Sequence, residues 1–146
     1  MPIDVRAERV IARPRPEVAR FAMDWRNDPD WIGGISSARL ITSEPLEVGS
    51  RVARVAGFLG RRIDYVLEVS ELEPDARMVM RSVKAPFPMV VTYEFADAGA
   101  GSTRMAIHIG GDASGFYKLA APLMARQVKG SISGDLERLD RLLTEG

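Results

Sequence analysis

Proton chemistry in this chain would have to come from Tyr65, Tyr93 or the single histidine, His108. A phenol on a half-buried strand seeks a hydrogen-bond partner and can polarise a ligand carbonyl, while an imidazole can move a proton near neutral pH. Nothing in the spacing supplies a general base beside either tyrosine, so plain core packing competes with catalysis for both. No Gly-x-Ser-x-Gly elbow accompanies His108, and hydrolysis by a serine triad is not expected. Its alternation with Met105 and Ile107 puts His108 on the opposite face of its strand, as an outer or rim residue. Metal chemistry is poorly supplied as well, because cysteine is absent and the acids form no cluster around the one imidazole. Neither a metal nor any other cofactor is expected. Asp64, Glu68 and Glu94 fall on polar strand faces and read as solvated sheet surface. Arg51, Arg54, Arg61 and Arg62 read the same way, with an acidic carrier or an anionic headgroup as the functional alternative.

Binding has more candidates than catalysis. Trp31, Phe58, Phe87 and Phe116 lie in turns, loops and the start of a long helix, where aromatic side chains suit the mouth of an apolar pocket. Tyr65, Tyr93, Met105 and Ile107 stand on the apolar parity of their strands, and Met80 adds adaptable apolar surface. Leu119, Ala120 and Leu123 join Phe116 on the side of the helix opposite its main stripe. All twelve are candidate ligand contacts.

These side chains need elements to hold them. From Ser114 to Thr144 the periodicity predicts one long helix, with Tyr117, Ala121, Met124, Ala125, Val128, Ile132, Leu136, Leu139 and Leu143 on one stripe. Before Arg126 it is apolar nearly all round, and Pro122 predicts a bend near residues 118–122. Gly130 and Gly134 fall on the polar side and weaken the helix by about 1 kcal/mol each. Upstream, alternation and turn residues predict strands over Ile3–Ala12, Ile35–Ser43, Ser50–Phe58, Arg62–Leu72, Met78–Val83, Met89–Ala96 and Thr103–Gly110. Short turns between them make neighbours antiparallel. Pro16–Met23 and Asp28–Ile32 predict two short helices after the first strand. The outcome is an α+β fold, a seven-stranded curved antiparallel sheet wrapped around a long C-terminal helix.

The chain of 146 residues is expected to form one domain, 1–146. Twenty acidic and twenty basic side chains cancel, which argues against a partner held through a phosphate backbone. No run approaches the ~20 apolar residues of a membrane span, and Met1-Pro2-Ile3-Asp4 lacks the basic and apolar regions of a secretory signal. A soluble cytoplasmic protein without nucleic-acid or integral membrane partners is the expectation.

The order of elements resembles the helix-grip fold of the START and polyketide cyclase/dehydrase superfamily, SRPBCC, over the whole chain. The resemblance is carried by Pro14-x-x-Glu17-Val18 followed by Phe21 and Asp24, by Pro29-x-Trp31-x-Gly33-Gly34, and by the Phe58-Leu59-Gly60-Arg61-Arg62 hairpin. Glu68-Val69-x-Glu71-Leu72-x-Pro74, Phe87-Pro88 with Tyr93-x-Phe95, and Gly101-Ser102-Thr103-Arg104 continue it. Leu72 stands where the superfamily usually has an aromatic side chain. The resemblance implies a deep, mainly apolar cavity between sheet and helix, used elsewhere for lipids, hormones, polyketides and aromatic compounds. The expected function is binding of a small hydrophobic molecule. The alternatives are a polyketide aromatase/cyclase or dehydratase acting through Tyr65, Tyr93 or His108, and an interaction module or homodimer built on Phe116, Leu119 and Leu123.

Overall fold

The computed structural model describes residues 2–145, with Ser114 described by its backbone; the first and last residues of the expected domain, Met1 and Gly146, lie outside that range. The elements follow in the order β1 (Ile3–Ile11), α1 (Arg15–Met23), a 3₁₀ turn (Trp25–Asn27), α2 (Asp28–Trp31), β2 (Ile35–Leu40), β3 (Arg51–Phe58) and β4 (Arg61–Glu73). They continue with β5 (Arg77–Lys84), β6 (Met89–Asp97), β7 (Thr103–Gly111), α3 (Ser114–Tyr117) and α4 (Ala121–Glu145). Seven strands form one antiparallel sheet in the order β1-β7-β6-β5-β4-β3-β2. The helix-grip α+β architecture is therefore present.

Local chemistry explains the joints. Pro16 sits in the first turn of α1, where its missing donor is no loss. The β3–β4 hairpin turns on Leu59 and Gly60, both at positive φ (51° and 79°), which matches the strand twist at a two-residue turn. Register shifts between Val66 and Leu67, and again between Val69 and Glu71, bend β4 against β5, so the sheet curls. Its concave face presents alternate residues, among them Val52, Leu67, Val69, Met80, Tyr93, Phe95 and Met105, to a buried core that also takes Ile132, Leu136 and Leu139 of α4.

The long helix differs from expectation at its start. Residues 114–144 do not form one bent rod: α3 ends at Tyr117, Lys118 adopts positive φ (52°), and α4 begins at Ala121. Pro122 falls in the first turn of α4, where a helix tolerates proline, so the ring that predicted a bend marks a new beginning. Tyr117 consequently leaves the stripe. A side chain added at Gly130 or Gly134 would meet nothing within 4 Å, and neither glycine serves a close helix contact.

The second correction concerns Arg54, which the charge pattern assigns to solvated surface. It is 5% exposed. Val52, Arg54 and Ala56 share the inward parity of β3, and the outward parity, Arg51, Ala53 and Val55, is almost as apolar. Alternation alone could not choose between the two faces. The three acids behave as read: Asp64 pairs with Arg62, Glu68 with Arg51, and Glu94 with Arg6 and Arg77, all on the outer surface.

Candidate functional site

A cavity of about 180 Å³ lies between the concave face of the sheet and the first half of α4. Residues of six strands wall it: Ile3 of β1 and Ile35 of β2 at the edges, Ala56 and Phe58 of β3, Ile63 and Tyr65 of β4, Met89, Val91 and Tyr93 of β6, and Ile107 and Ile109 of β7. From the helix side come Met124, Val128, Ser131, Ile132 and Asp135, which recur at helical spacing. Trp31, Ile32 and Gly34 complete the lining from α2 and the turn after it, and Phe87, Ala113 and Tyr117 from the segments before β6 and after β7. Two glycines in this lining permit close backbone approach. A Cβ at Gly111 would stand 2.5 Å from the carbonyl oxygen of Pro88, and one at Gly34 would stand 2.9 Å from that of Gly57.

On the sheet side the apolar wall is interrupted by a buried polar network. Arg54 donates from Nε to Asp28 Oδ2 at 2.9 Å, and its Nη2 lies 2.8 Å from the same oxygen. Nη2 also donates to the Tyr93 hydroxyl at 3.4 Å. Asp28 is 1% exposed. Asp28 is the first residue of α2, ahead of Pro29, and serves as the counter-ion of a buried guanidinium. Burial pushes the Asp28 carboxyl above the usual carboxylate range, and the attraction of Arg54 recovers part of that shift. Burial opposes the Arg54 charge too, but Tyr93, Asp28 and Tyr65 outweigh it and keep the guanidinium protonated. Burial raises the Tyr93 hydroxyl to about 12, so Tyr93 is a hydrogen-bond donor at neutral pH.

A second acid enters from α4. Asp135 Oδ1 accepts from the Gly33 N–H at 2.9 Å and from Arg138 Nη1 at 3.2 Å, while Arg138 also donates to the Trp31 carbonyl at 2.7 Å. This clasp ties the α2–β2 turn to the helix. Burial raises the Asp135 carboxyl, and the Gly33 and Arg138 hydrogen bonds act against the shift.

Of the sequence candidates, Trp31, Phe58, Tyr65, Phe87, Tyr93 and Ile107 line the cavity. The other six do not. Met105 is fully buried in the packed core, and Met80 faces a small recess on the far side of Arg54 with Met23, Leu46 and Met78. Phe116 turns outward to a shallow surface depression shared with Arg62, Lys84 and Pro86. There the Arg61 guanidinium lies 3.6 Å from its ring centroid and donates to its carbonyl. Leu119 and Ala120 occupy the break between α3 and α4, and Leu123 is 48% exposed. The break at Lys118 rotates these residues away from the positions a continuous helix gives them. His108 is an outer-face residue paired with Asp4 across the sheet edge. Among the described residues no group of three or more His, Asp or Glu is placed to hold a metal ion. No helix is long and apolar enough to cross a membrane.

Sequence reasoning missed Arg54, Asp28 and Asp135. Only Asp135 left a usable signal, as a carboxylate inside the Val128–Ile132–Leu139 stripe.

Residues 2–144 match the model of the family described as polyketide cyclase / dehydrase and lipid transport. The chain belongs to that family. Among solved structures it is similar to TTHA0849 from Thermus thermophilus, at 25% identity and a TM-score of 0.74, covering 94% of this chain and 97% of that one. A START superfamily protein from Mycobacterium smegmatis superposes with a TM-score of 0.82 at 11% identity, over 94% of both chains. The Zhui aromatase/cyclase from Streptomyces sp. R1128 does so with a TM-score of 0.79 at 15% identity, over 100% of this chain and 99% of the other. The last two likenesses carry the fold alone. Among curated proteins no sequence matches.

Proposed function

We propose that this family member binds a small hydrophobic molecule in the cavity beneath α4. The observation that carries the reading is an apolar void of about 180 Å³ whose wall carries few buried polar side chains, Arg54 and Tyr93 on the sheet and Asp135 on the helix among them. An apolar protein cavity of about 150 Å³ stays dry and takes up benzene, so the space suits one aromatic ring or a compact bicyclic molecule. A long acyl chain would need the aromatic end, Phe58, Phe87 and Tyr117, to open. Those rings pack edge to face at 5.5 and 6.1 Å, a contact that side-chain rotation can break without unfolding strands.

Titration with a naphthalene-based fluorescent probe tests the reading. Wild-type protein is expected to bind it saturably, and Val128→Phe, which puts a ring into the void, to weaken binding at least about ten-fold with the thermal transition retained. Equal binding by both proteins would reject the cavity as the site. Native mass spectrometry of freshly purified protein would identify any retained molecule.

Turnover is a second reading, favoured by one arrangement. Tyr93 and Arg54 are donors on the sheet side, and the Asp135 carboxylate lines the same cavity from α4. Together they could polarise a carbonyl and receive a proton, the elements of an aldol-type cyclisation or a dehydration. The likeness to an aromatase/cyclase fits this reading. Loss of turnover on a polyketone substrate in Tyr93→Phe, with binding retained, would separate it from simple binding.

A further inference from the structure

The polar part of the cavity has unused hydrogen-bonding capacity of both kinds, on opposite layers of the fold. On the sheet layer, Arg54 commits Nε and Nη2 to Asp28 and Tyr93, and among the described residues no acceptor meets Nη1. The Tyr93 oxygen accepts from Arg54, and no acceptor among the described residues takes its proton. On the helix layer, Asp135 Oδ1 is occupied by Gly33 and Arg138, whereas no donor among the described residues meets Oδ2. Among the described residues the wholly enclosed side-chain atoms without a partner are Trp31 Nε1 and Tyr117 Oη. Arg54 Nη1 and Asp135 Oδ2 are not among them, although their residues are only 5% and 6% exposed. Arg54, Tyr93 and Asp135 all line the cavity, so their uncommitted atoms stand at its wall.

The charges of Arg54 and Asp135, by contrast, are already matched. Arg54 faces Asp28, and Asp135 faces Arg138. A carboxylate or phosphate entering the cavity would find no uncompensated cation among the described lining residues: it would have to displace Asp28 or lie against Asp135. Taking a charge out of water without a free counter-charge costs several kcal/mol, which sets an anionic ligand at a disadvantage. A ligand without polar groups is also disfavoured, because it would leave the Tyr93 proton and Asp135 Oδ2 unmet in a site it has dried.

From these two observations we infer that the cavity selects a neutral, ring-sized molecule carrying both a carbonyl and a hydroxyl group. The carbonyl accepts from Tyr93 and Arg54, and the hydroxyl donates to Asp135 Oδ2. The inference rests on the ligand-binding reading above and adds to it the polar chemistry of the ligand.

Calorimetric titration of the intact chain at pH 7 with 3- and 4-hydroxyacetophenone, acetophenone, phenol, 4-hydroxybenzoate and toluene tests it. At least one hydroxyacetophenone isomer is expected to bind about ten-fold or more tighter than acetophenone and than phenol, since each comparison strands one buried group. The benzoate is expected to bind more weakly than its ketone. An advantage below about three-fold over acetophenone and phenol, or tighter binding of the benzoate, overturns the inference while toluene binding keeps the hydrophobic reading intact. Failure of every compound, toluene included, overturns both. In Asp135→Asn the retained oxygen satisfies Gly33 and an amide N–H faces the cavity, so the ligand oxygen is asked to accept rather than donate, and the preference for 4-hydroxyacetophenone over 4-methoxyacetophenone, which cannot donate, should fall to about two-fold or less. Its persistence there would contradict the assigned partner. If that variant does not fold, the wild-type series decides alone.

Discussion

Leu136 and Leu139 are fully buried, and their half of α4 is tied to β1 by Arg9 on Asp140 at 2.7 Å and to the turn after β1 by Arg13 on the Leu143 carbonyl at 2.7 Å. Met124 and Val128, earlier on the same stripe, roof a void. The two halves share their periodicity and differ in what lies beneath. Over β1 the sheet edge comes up to the helix and leucine side chains fill the gap. Farther along, the curled centre of the sheet falls away, and the gap is left to aromatic rings and the Arg54–Asp28–Tyr93 network. An apolar stripe thus reports that a face is shielded from water, not that protein does the shielding.

The largest effect should come from the open half, where an ion pair takes the place of packing. Asp28→Ala leaves the Arg54 guanidinium buried without its counter-ion and is expected to destabilise the protein by about 3–5 kcal/mol in urea denaturation. A loss under about 1 kcal/mol would mean that water reaches Arg54 freely. Next in size is a matched pair of truncations along the stripe. Leu139→Ala should cost about 2–5 kcal/mol, because its cavity opens in packed surroundings. Met124→Ala, whose side chain already borders empty space, should cost less than half as much and admit a larger probe. Equal losses would erase the distinction between the halves.

A smaller effect is read as a pH dependence. Burial holds the Asp135 carboxyl above its ordinary value, so the folded chain keeps a proton there that the unfolded chain releases. That contribution is fully present below the unfolded carboxylate pKa and is lost as pH rises through the folded one. Asp135→Asn removes it, and the slope of stability against pH just above the usual carboxylate range should become more positive than in the wild type. An unchanged slope would show that Asp135 is solvated. The smallest effect belongs to the surface. Arg9→Ala removes a partly exposed pair with Asp140 and should cost no more than about 1 kcal/mol.

Much of the architecture was legible in the order of residues alone. Alternation located each of the seven strands, turn residues made them antiparallel, and a 3.6-residue period located the closing helix. Each of these signals is local, because a pleat or a helical turn imposes its own spacing on the apolar residues. Six of the twelve ligand candidates line the cavity for the same reason: Tyr65, Tyr93 and Ile107 follow strand parity, and Trp31, Phe58 and Phe87 sit where strands and short helices end.

What failed was whatever depended on a partner distant in the chain. Pro122 announced a disturbance in the helix, but whether it bent one rod or began a second was decided by how Tyr117 docks against Phe58 and Phe87. Arg54 looks like surface charge until Asp28, twenty-six residues earlier, is folded against it, and Asp135 gains meaning only from the Gly33 N–H. The sequence by itself determined which faces shun water and in what order the strands and helices come. Only the tertiary structure decided that the middle of the sheet would curl away from the helix and which few charges would be enclosed there, because a void and a buried ion pair are properties of surfaces brought together from far apart.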